Sequence, residues 1–450
     1  MTSKQRAWGQ FSTPIDVADL LLGFCLRRPD DHLLDPGCGD GALLRRAALW
    51  RSWLAADRPE KESVLYGIEL DPEAALVAAT VPGTIIERAN FFTLDPTDYP
   101  PFDAIVGNPP YTRAEWIERI EFDPGQLTLF PGEETDGVLA GMLPKRLGAA
   151  LSGRAGLYAY FFLHSRGFLR EGGRLGFVVP NGWLDVVYGE ALKRFLLDHF
   201  RIVAVIESAV ERWFSSARVN TCLIILERSD DLQSRQANRV RFVRLRQPLH
   251  ELLGHDTDSR RMAAVEQLVT RLMPAADRAT SGASVRVRGQ GALTASERWG
   301  ALLRAPEFYF HRHARPMAPL AEWATVQRGY TTGANDFFYP DRRQVETWSI
   351  EPEYRRPLLK SLRGARSLAL SAEDCRHEVL VIPPDADLAG TAVAEYISWA
   401  ESRGIAQRPT CAGRRPWYAL PAQPAATLVL AKGVWQRHFA PTIEDGMVVD

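Results

Sequence analysis

Short apolar runs, each cut off by an acid, glycine or proline, alternate in the first part of the chain with stretches whose apolar positions recur at helical spacing. Leu33–Leu34 closes on Asp35 and opens into Gly37, Gly39 and Gly41, after which residues 42–49 read as an amphipathic helix. Val64 to Ile68 closes on Glu69, and residues from Glu73 onward form the returning helix. Ile85–Ile86 leads into Glu87, Asn90, Phe91 and Phe92 as a third strand and its end. Ala104 to Val106, preceded by Asp103, is a fourth strand cut off by Gly107, since Pro109 and Pro110 lack the N–H a ladder needs. Strand, glycine turn, helix and strand in this order predict an α/β fold with a Rossmann-like sheet, which binds ligands at its carboxyl edge. Further on, Leu157 to Leu169 has the spacing of a core helix, Val240 to Leu245 that of a strand, and helices are expected near 259–273 and 296–305.

The predicted strand ends carry the chemistry. Three glycines in five residues after Asp35 let backbone approach a ligand closely, and an acid ahead of such a turn suits a cation or amine more than a pyrophosphate. A plain strand-to-helix turn is the alternative. Glu69, ending the second strand, is placed to accept both hydroxyls of a ribose. Asn90 and the rings after it can face an adenine base. Asn108 offers a side-chain acceptor, the Pro109 carbonyl a second, and Tyr111 a flat ring on a backbone stiffened by Pro109 and Pro110. That set suits a planar amine-bearing group, although Asn-Pro and Pro-Pro also serve ordinary turns. Taken in order, these strand ends outline a half-sheet built to hold S-adenosylmethionine, with the Asn-Pro-Pro-Tyr loop beside its methyl group.

Composition narrows the class. The 450 residues, 46% of them hydrophobic, suffice for two or three domains with sizeable cores. Five dispersed cysteines (Cys25, Cys38, Cys222, Cys375, Cys411) form no CxxC pair, which argues against a zinc site or disulfide framework and for a reducing compartment. No apolar signal core or membrane-length run is visible, so a cytoplasmic location is expected. Residues 1–230 carry 24 Lys+Arg against 31 Asp+Glu, a balance of −7, and residues 231–450 carry 30 against 24, or +6. An acidic half joined to an arginine-rich half fits a catalytic domain plus a domain facing phosphates, or equally the arginine usage of a GC-rich genome.

Residues 9–14 (Gly-Gln-Phe-Ser-Thr-Pro), 35–41 (Asp-Pro-Gly-Cys-Gly-Asp-Gly), Glu69 with Asp71–Pro72, and 108–111 (Asn-Pro-Pro-Tyr) resemble the motifs of the gamma-class DNA adenine-N6 methyltransferases, the TaqI-like modification enzymes of restriction-modification systems. The motifs stand in that family's order, and the resemblance is close over residues 8–228. Residues 172–184 resemble the strand and turn after the catalytic loop, and Trp213–Phe214 followed by Val219 to Leu226 resembles the segment whose Phe packs on a flipped base. Gln327 to Phe338 is similar to the opening of the recognition domain in larger members. The resemblance implies a cofactor site for S-adenosylmethionine formed by Thr13, Pro14, Asp35, Gly37, Gly39, Glu69, Asn90, Phe91 and Asn108. It implies a catalytic set of Asn108, Pro109, Pro110, Tyr111 and Phe214, with no metal. One position departs, because the family usually has Asp where this chain has Asn90.

The expected organisation is a catalytic domain over 1–230 with an insertion at 112–156, a linking region over 231–320, and an α+β target-recognition domain over 321–450. The chain stops within what reads as a strand at 447–450, so that last domain is expected to be incomplete. The implied partner is double-stranded DNA, whose adenine would be flipped out to receive the methyl directly. No membrane is expected as a partner, and no acid-acid-x-lysine cluster of a nuclease is visible, so a cognate restriction endonuclease is expected as a separate chain. The loop alone does not distinguish a DNA adenine from an RNA adenine or a protein glutamine, which make the same two hydrogen bonds. In the basic half, residues 355–366 and 412–418 are candidates for groove contacts, while Arg286, Arg288 and the cluster at 311–315 read as solvated surface rather than phosphate contacts.

Overall fold

The apolar runs ending at Asp35, Glu69 and Gly107 are neighbouring strands of one sheet. The structure, a computed structural model, describes residues 12–55, 64–111, 156–214, 219–254, 257–310, 318, 320–431 and 439–450. The chain divides into two compact units, residues 1–314 and 315–450.

The first unit runs α1 (Ile15–Cys25), β1 (Leu33–Asp35), α2 (Ala42–Leu54), β2 (Leu65–Glu69), α3 (Pro72–Ala78), β3 (Thr84–Arg88), β4 (Phe102–Gly107), α4 (Leu157–Phe168), β5 (Leu169–Pro180), α5 (Gly189–His199), β6 (Phe200–Ser208) and β7 (Thr221–Arg228). It continues through α6 (Leu232–Ala237), β8 (Arg239–Leu245), α7 (Leu249–Leu253), α8 (Asp258–Leu272), β9 (Arg278–Ala279), β10 (Ala283–Gly289), α9 (Gly300–Arg304) and α10 (Glu307–Phe310). The sheet order is β3-β2-β1-β4-β5-β7-β6-β8-β10-β9. Strands β3 through β5 are mutually parallel, and β7 is antiparallel between β5 and β6.

Both sheet faces are covered, which explains why β1, β4 and most of β5 to β7 are unbroken apolar runs rather than alternating ones. One core joins the sheet to α1, α2 and α8, through residues such as Leu21, Leu44 and Val265. The other joins it to α4, α5 and α9, through Phe162, Leu196 and Leu303. Strand order reverses between β1 and β4. Their carboxyl ends therefore flank the crevice where sheets of this kind take ligands. The stretch expected as a linker, 231–320, instead supplies β8 to β10 and α8 to this unit, because Val240, Phe242 and Val243 are buried in the sheet.

The second unit contains α11 (Asn335–Phe338), α12 (Arg342–Trp348), β11 (Arg355–Leu359), β12 (Ala369–Leu370), β13 (His377–Leu380), α13 (Ala392–Ser402), α14 (Pro409–Ala412), β14 (Thr442–Ile443) and β15 (Val448–Val449). Two small sheets, β13-β11-β15 and β12-β14, accompany the helices. Its core is aromatic. Phe337 stacks on Tyr396 at 5.0 Å and 10°, and Tyr396 on Trp399 at 5.2 Å and 15°.

Candidate active site

The turn after β1 is tied down from both sides. Cys38 N donates to the Ile68 carbonyl of β2 (3.0 Å), and Gly41 N donates back to Cys38 O (2.9 Å). Gly39 and Gly41 adopt φ of +55° and +80°, where side chains are strained. At Gly41 a Cβ would also press on Ala78 of α3 at 3.1 Å. At Gly39 it would meet nothing within 4 Å among the described residues, so this side of the turn faces open space. Glu69 orients the same turn: its Oε2 accepts from Gly39 N and its Oε1 from Asp71 N, both at 2.8 Å. A carboxylate has about four acceptor positions, so two N–H bonds leave capacity for a diol.

Asp35 lies beside this arrangement with Gly37 N at 3.4 Å from its Oδ1. Burial pushes the Asp35 carboxyl up to about 8, the Gly37 N–H opposes the rise, and the charge of Glu69 adds to it. Burial raises Glu69 as well, against the backbone N–H groups of Asp71 and Gly39. Two carboxyls held away from water ionise more readily once a cationic guest lies beside them.

Gly107 explains how β4 reaches this point. A Cβ there would lie 3.1 Å from the Phe177 ring and 3.3 Å from Asp35 Oδ1, so glycine permits the two strand ends to close. Asn108 follows at once, half-buried, with Pro109 buried behind it. Tyr111 donates to the Val178 carbonyl of β5 at 3.5 Å, and burial holds its hydroxyl well above the usual tyrosine range. Phe214, more than a hundred residues along the chain, meets Tyr111 edge to face with ring centroids 5.8 Å apart.

The remaining sequence-derived residues fall into place differently. Asn90 is buried and its Oδ1 accepts from Phe92 N (3.1 Å), capping the turn after β3. The Phe91 ring stacks on Phe161 at 5.4 Å and meets His164 at 4.7 Å, so it serves the core, leaving Phe91 its backbone to offer a ligand. Thr13 and Pro14 lead into α1, whose first turn is closed by Ala18 N on Pro14 O. The 9–11 part of that motif, most of the 112–156 insertion and the 311–315 cluster lie outside the described residues. Arg286 is drawn inward: it donates to Leu302 O at 2.6 Å, and its guanidinium sits 3.9 Å from the Phe310 ring centre. Arg288 pairs with Asp277 at 3.1 Å. In the second unit Arg414 donates to the Thr331 carbonyl (2.9 Å) and Trp417 Nε1 to Glu401 (2.9 Å), so much of 412–418 binds its own unit.

A polar cluster at the carboxyl ends of β5 and β6 escaped sequence reasoning. Glu207, buried, accepts from Arg304 Nε at 2.9 Å and Nη2 at 2.8 Å, and from Asn181 Nδ2 at 3.3 Å. Arg304 Nη1 donates to Asp185 at 2.6 Å. An acid closing the apolar run 202–206 was the available signal, the same one that marked Glu69.

Two family models match the chain: the Eco57I restriction-modification methylase over residues 84–214, and the C-terminal domain of the Type II methyltransferase M.Eco57I over residues 301–441. Both stretches are thus of the Eco57I type of restriction-modification methylase. The first match contains the Asn108–Tyr111 loop and ends at Phe214. The chain is 27% identical to Type II methyltransferase M.XamI of Xanthomonas campestris pv. amaranthicola over 86% of its own length and 64% of that protein. It is 21% identical to Type II methyltransferase M.AccI of Acinetobacter calcoaceticus, over 92% of itself and 69% of the relative. The chain thus spans about two thirds of these relatives. Among solved structures, the type IIG restriction endonuclease BpuSI shares its fold, with a TM-score of 0.50 at 13% identity over 99% of this chain and 53% of that one.

Proposed function

We propose that this chain is a methyltransferase that moves a methyl group from S-adenosylmethionine to the exocyclic amine of an adenine flipped out of double-stranded DNA. The observation that carries the reading is the meeting of the β1, β2 and β4 ends, which sets Asp35 and Glu69 beside the loop bearing Asn108. When bound, S-adenosylmethionine supplies an activated methyl on a positively charged sulfur. The buried carboxyl of Asp35, the open face of Gly39 and the spare acceptor positions of Glu69 fit an amino-acid cation and a ribose. Asn90 and the Phe91 backbone would attend the adenine ring, and Thr13 and Pro14 would close the methionine end.

The nucleophile is a poor one, because its lone pair is delocalised into the purine. Accepting both of its N–H bonds, at the Asn108 side chain and the Pro109 carbonyl, draws the nitrogen toward tetrahedral geometry. The lone pair is then available to form the new N–C bond, and the nitrogen sheds one proton afterwards. Asn108 is neutral and Pro109 contributes only a carbonyl, so catalysis is chiefly positioning, with reacting atoms held at ~3–3.5 Å. Flipping the base costs a few kcal/mol. Contact with Tyr111 and Phe214 offsets roughly 1–3 kcal/mol per base.

The role fits the modification arm of a restriction-modification system in the cytoplasm. Transfer of a labelled methyl to duplex DNA, followed by digestion to nucleosides, tests the reading: label in N6-methyladenosine's deoxy form supports it. Label found only in RNA or in protein glutamine would contradict it.

A further inference from the structure

Several cations of the second unit are engaged within it. Arg355 pairs with Glu378 (2.7 Å), Arg342 with Glu346 (2.8 Å) and Arg408 with Asp336 (2.7 Å), while Arg414 is taken up by backbone carbonyls. These charges are met by groups of their own unit. The loop that follows β11 is built differently. Leu359 lies in a small core with Leu370, Val429, Ile443 and Met447, and Leu362 and Ala365 pack against that core. The residue after each apolar anchor is basic and exposed: Lys360, Arg363 and Arg366.

The three-residue repeat is held stiffly. Ala365 N donates to Leu362 O (3.2 Å), closing a turn whose third residue, Gly364, has φ of +88°, and Arg363 N donates to Ser361 Oγ (3.1 Å). Lys360 lies over the Tyr339 ring at 5.4 Å. Among the described residues no carboxylate pairs with any of the three. Exposed like charges at three-residue spacing repel one another, and a ligand of opposite and repeating charge relieves that repulsion.

We propose that Lys360, Arg363 and Arg366 form a ridge that tracks successive phosphates of a DNA backbone. This rests on the reading of the protein as a DNA methyltransferase. The ridge supplies affinity and register, not choice of sequence, because phosphate contacts carry no base information.

The test is duplex binding by the full chain, measured by fluorescence anisotropy across a salt series, on a short duplex containing the methylated site and on an unrelated one. The substitutions Lys360→Gln, Arg363→Gln and Arg366→Gln together should reduce the slope of log affinity against log salt by roughly one per residue, or about three in all. The loss should be equal on both duplexes, with S-adenosylmethionine binding unchanged. An unchanged slope, or a loss confined to one duplex, overturns the ridge while leaving the DNA reading intact. Wild-type protein that binds no duplex at low salt overturns the DNA reading itself, and the ridge with it.

Discussion

The ring of Tyr111 meets the ring of Phe214 at 88°, with centroids 5.8 Å apart. Edge-to-face contact is a favoured aromatic geometry worth about 0.5–1.5 kcal/mol. In this arrangement the two rings touch each other and leave no parallel slot between them. Under the proposed reaction, an arriving base trades that contact for its own.

Replacing either ring by alanine should therefore weaken catalysis without abolishing it. Tyr111→Ala and Phe214→Ala are each expected to lower kcat/KM for DNA roughly 5- to 150-fold, the equivalent of ~1–3 kcal/mol of stacking. The fluorescence rise of 2-aminopurine at the target position should shrink in parallel. Wild-type fluorescence in both variants would contradict a role in holding a flipped base.

Glu69 is expected to act on the cofactor alone. With its oxygens accepting from Gly39 and Asp71, Glu69→Gln exchanges one acceptor for a donor facing an N–H. The Kd for S-adenosylmethionine should rise about tenfold or more, in line with hydrogen bonds to a charged group. DNA affinity should stay within twofold. Calorimetric titration of both ligands separates these outcomes, and an unchanged cofactor Kd would remove Glu69 from the site.

Asp35 gives a pH signature. Its folded value, pushed up to about 8 by burial, lies above the value of an exposed aspartate near 4. Between these limits the folded state holds the extra proton. Its stabilising share is thus complete below about 4 and is lost as pH rises through about 8. Cation binding runs the other way and tightens as Asp35 ionises. Asp35→Asn should flatten both the melting temperature profile and the pH dependence of S-adenosylmethionine affinity. Parallel profiles in wild type and variant would show that another group is responsible.

Arg304 carries a stability prediction. Arg304→Gln leaves Glu207 buried without its charge partner and should cost about 3 kcal/mol, the lower end for a broken buried pair given that Arg304 is itself partly exposed. Adding Glu207→Gln should recover most of the loss. A double variant no more stable than the single one would deny the coupling.

These particulars show what was readable beforehand. Strands β1, β2 and β4 and the acids and amides at their ends were legible, because each apolar run stops at a residue that cannot continue a buried ladder. The tie between Arg304 and Glu207 was not legible. It joins residues 97 positions apart, and spacing along a chain says nothing about such a meeting. The direction of the Phe91 ring was not legible for a related reason: a ring at a strand end can point at a ligand or under the next helix, and Phe161 and Phe168 of α4 decided it. Arg286 and Arg288 alternate with valines as surface residues do, yet Leu302 O, Asp277 and Phe310 claim them.

The proposed chemistry stands or falls on Asn108. Methylation-aware sequencing of DNA from cells expressing the chain, or the same chain with Asn108→Ala, measures substrate, base and site together. The expected result is N6-methyladenine at one recurrent sequence with the wild type, none with the variant, and S-adenosylmethionine binding retained by both. An unmodified genome with the wild type, or equal modification by the variant, would contradict it.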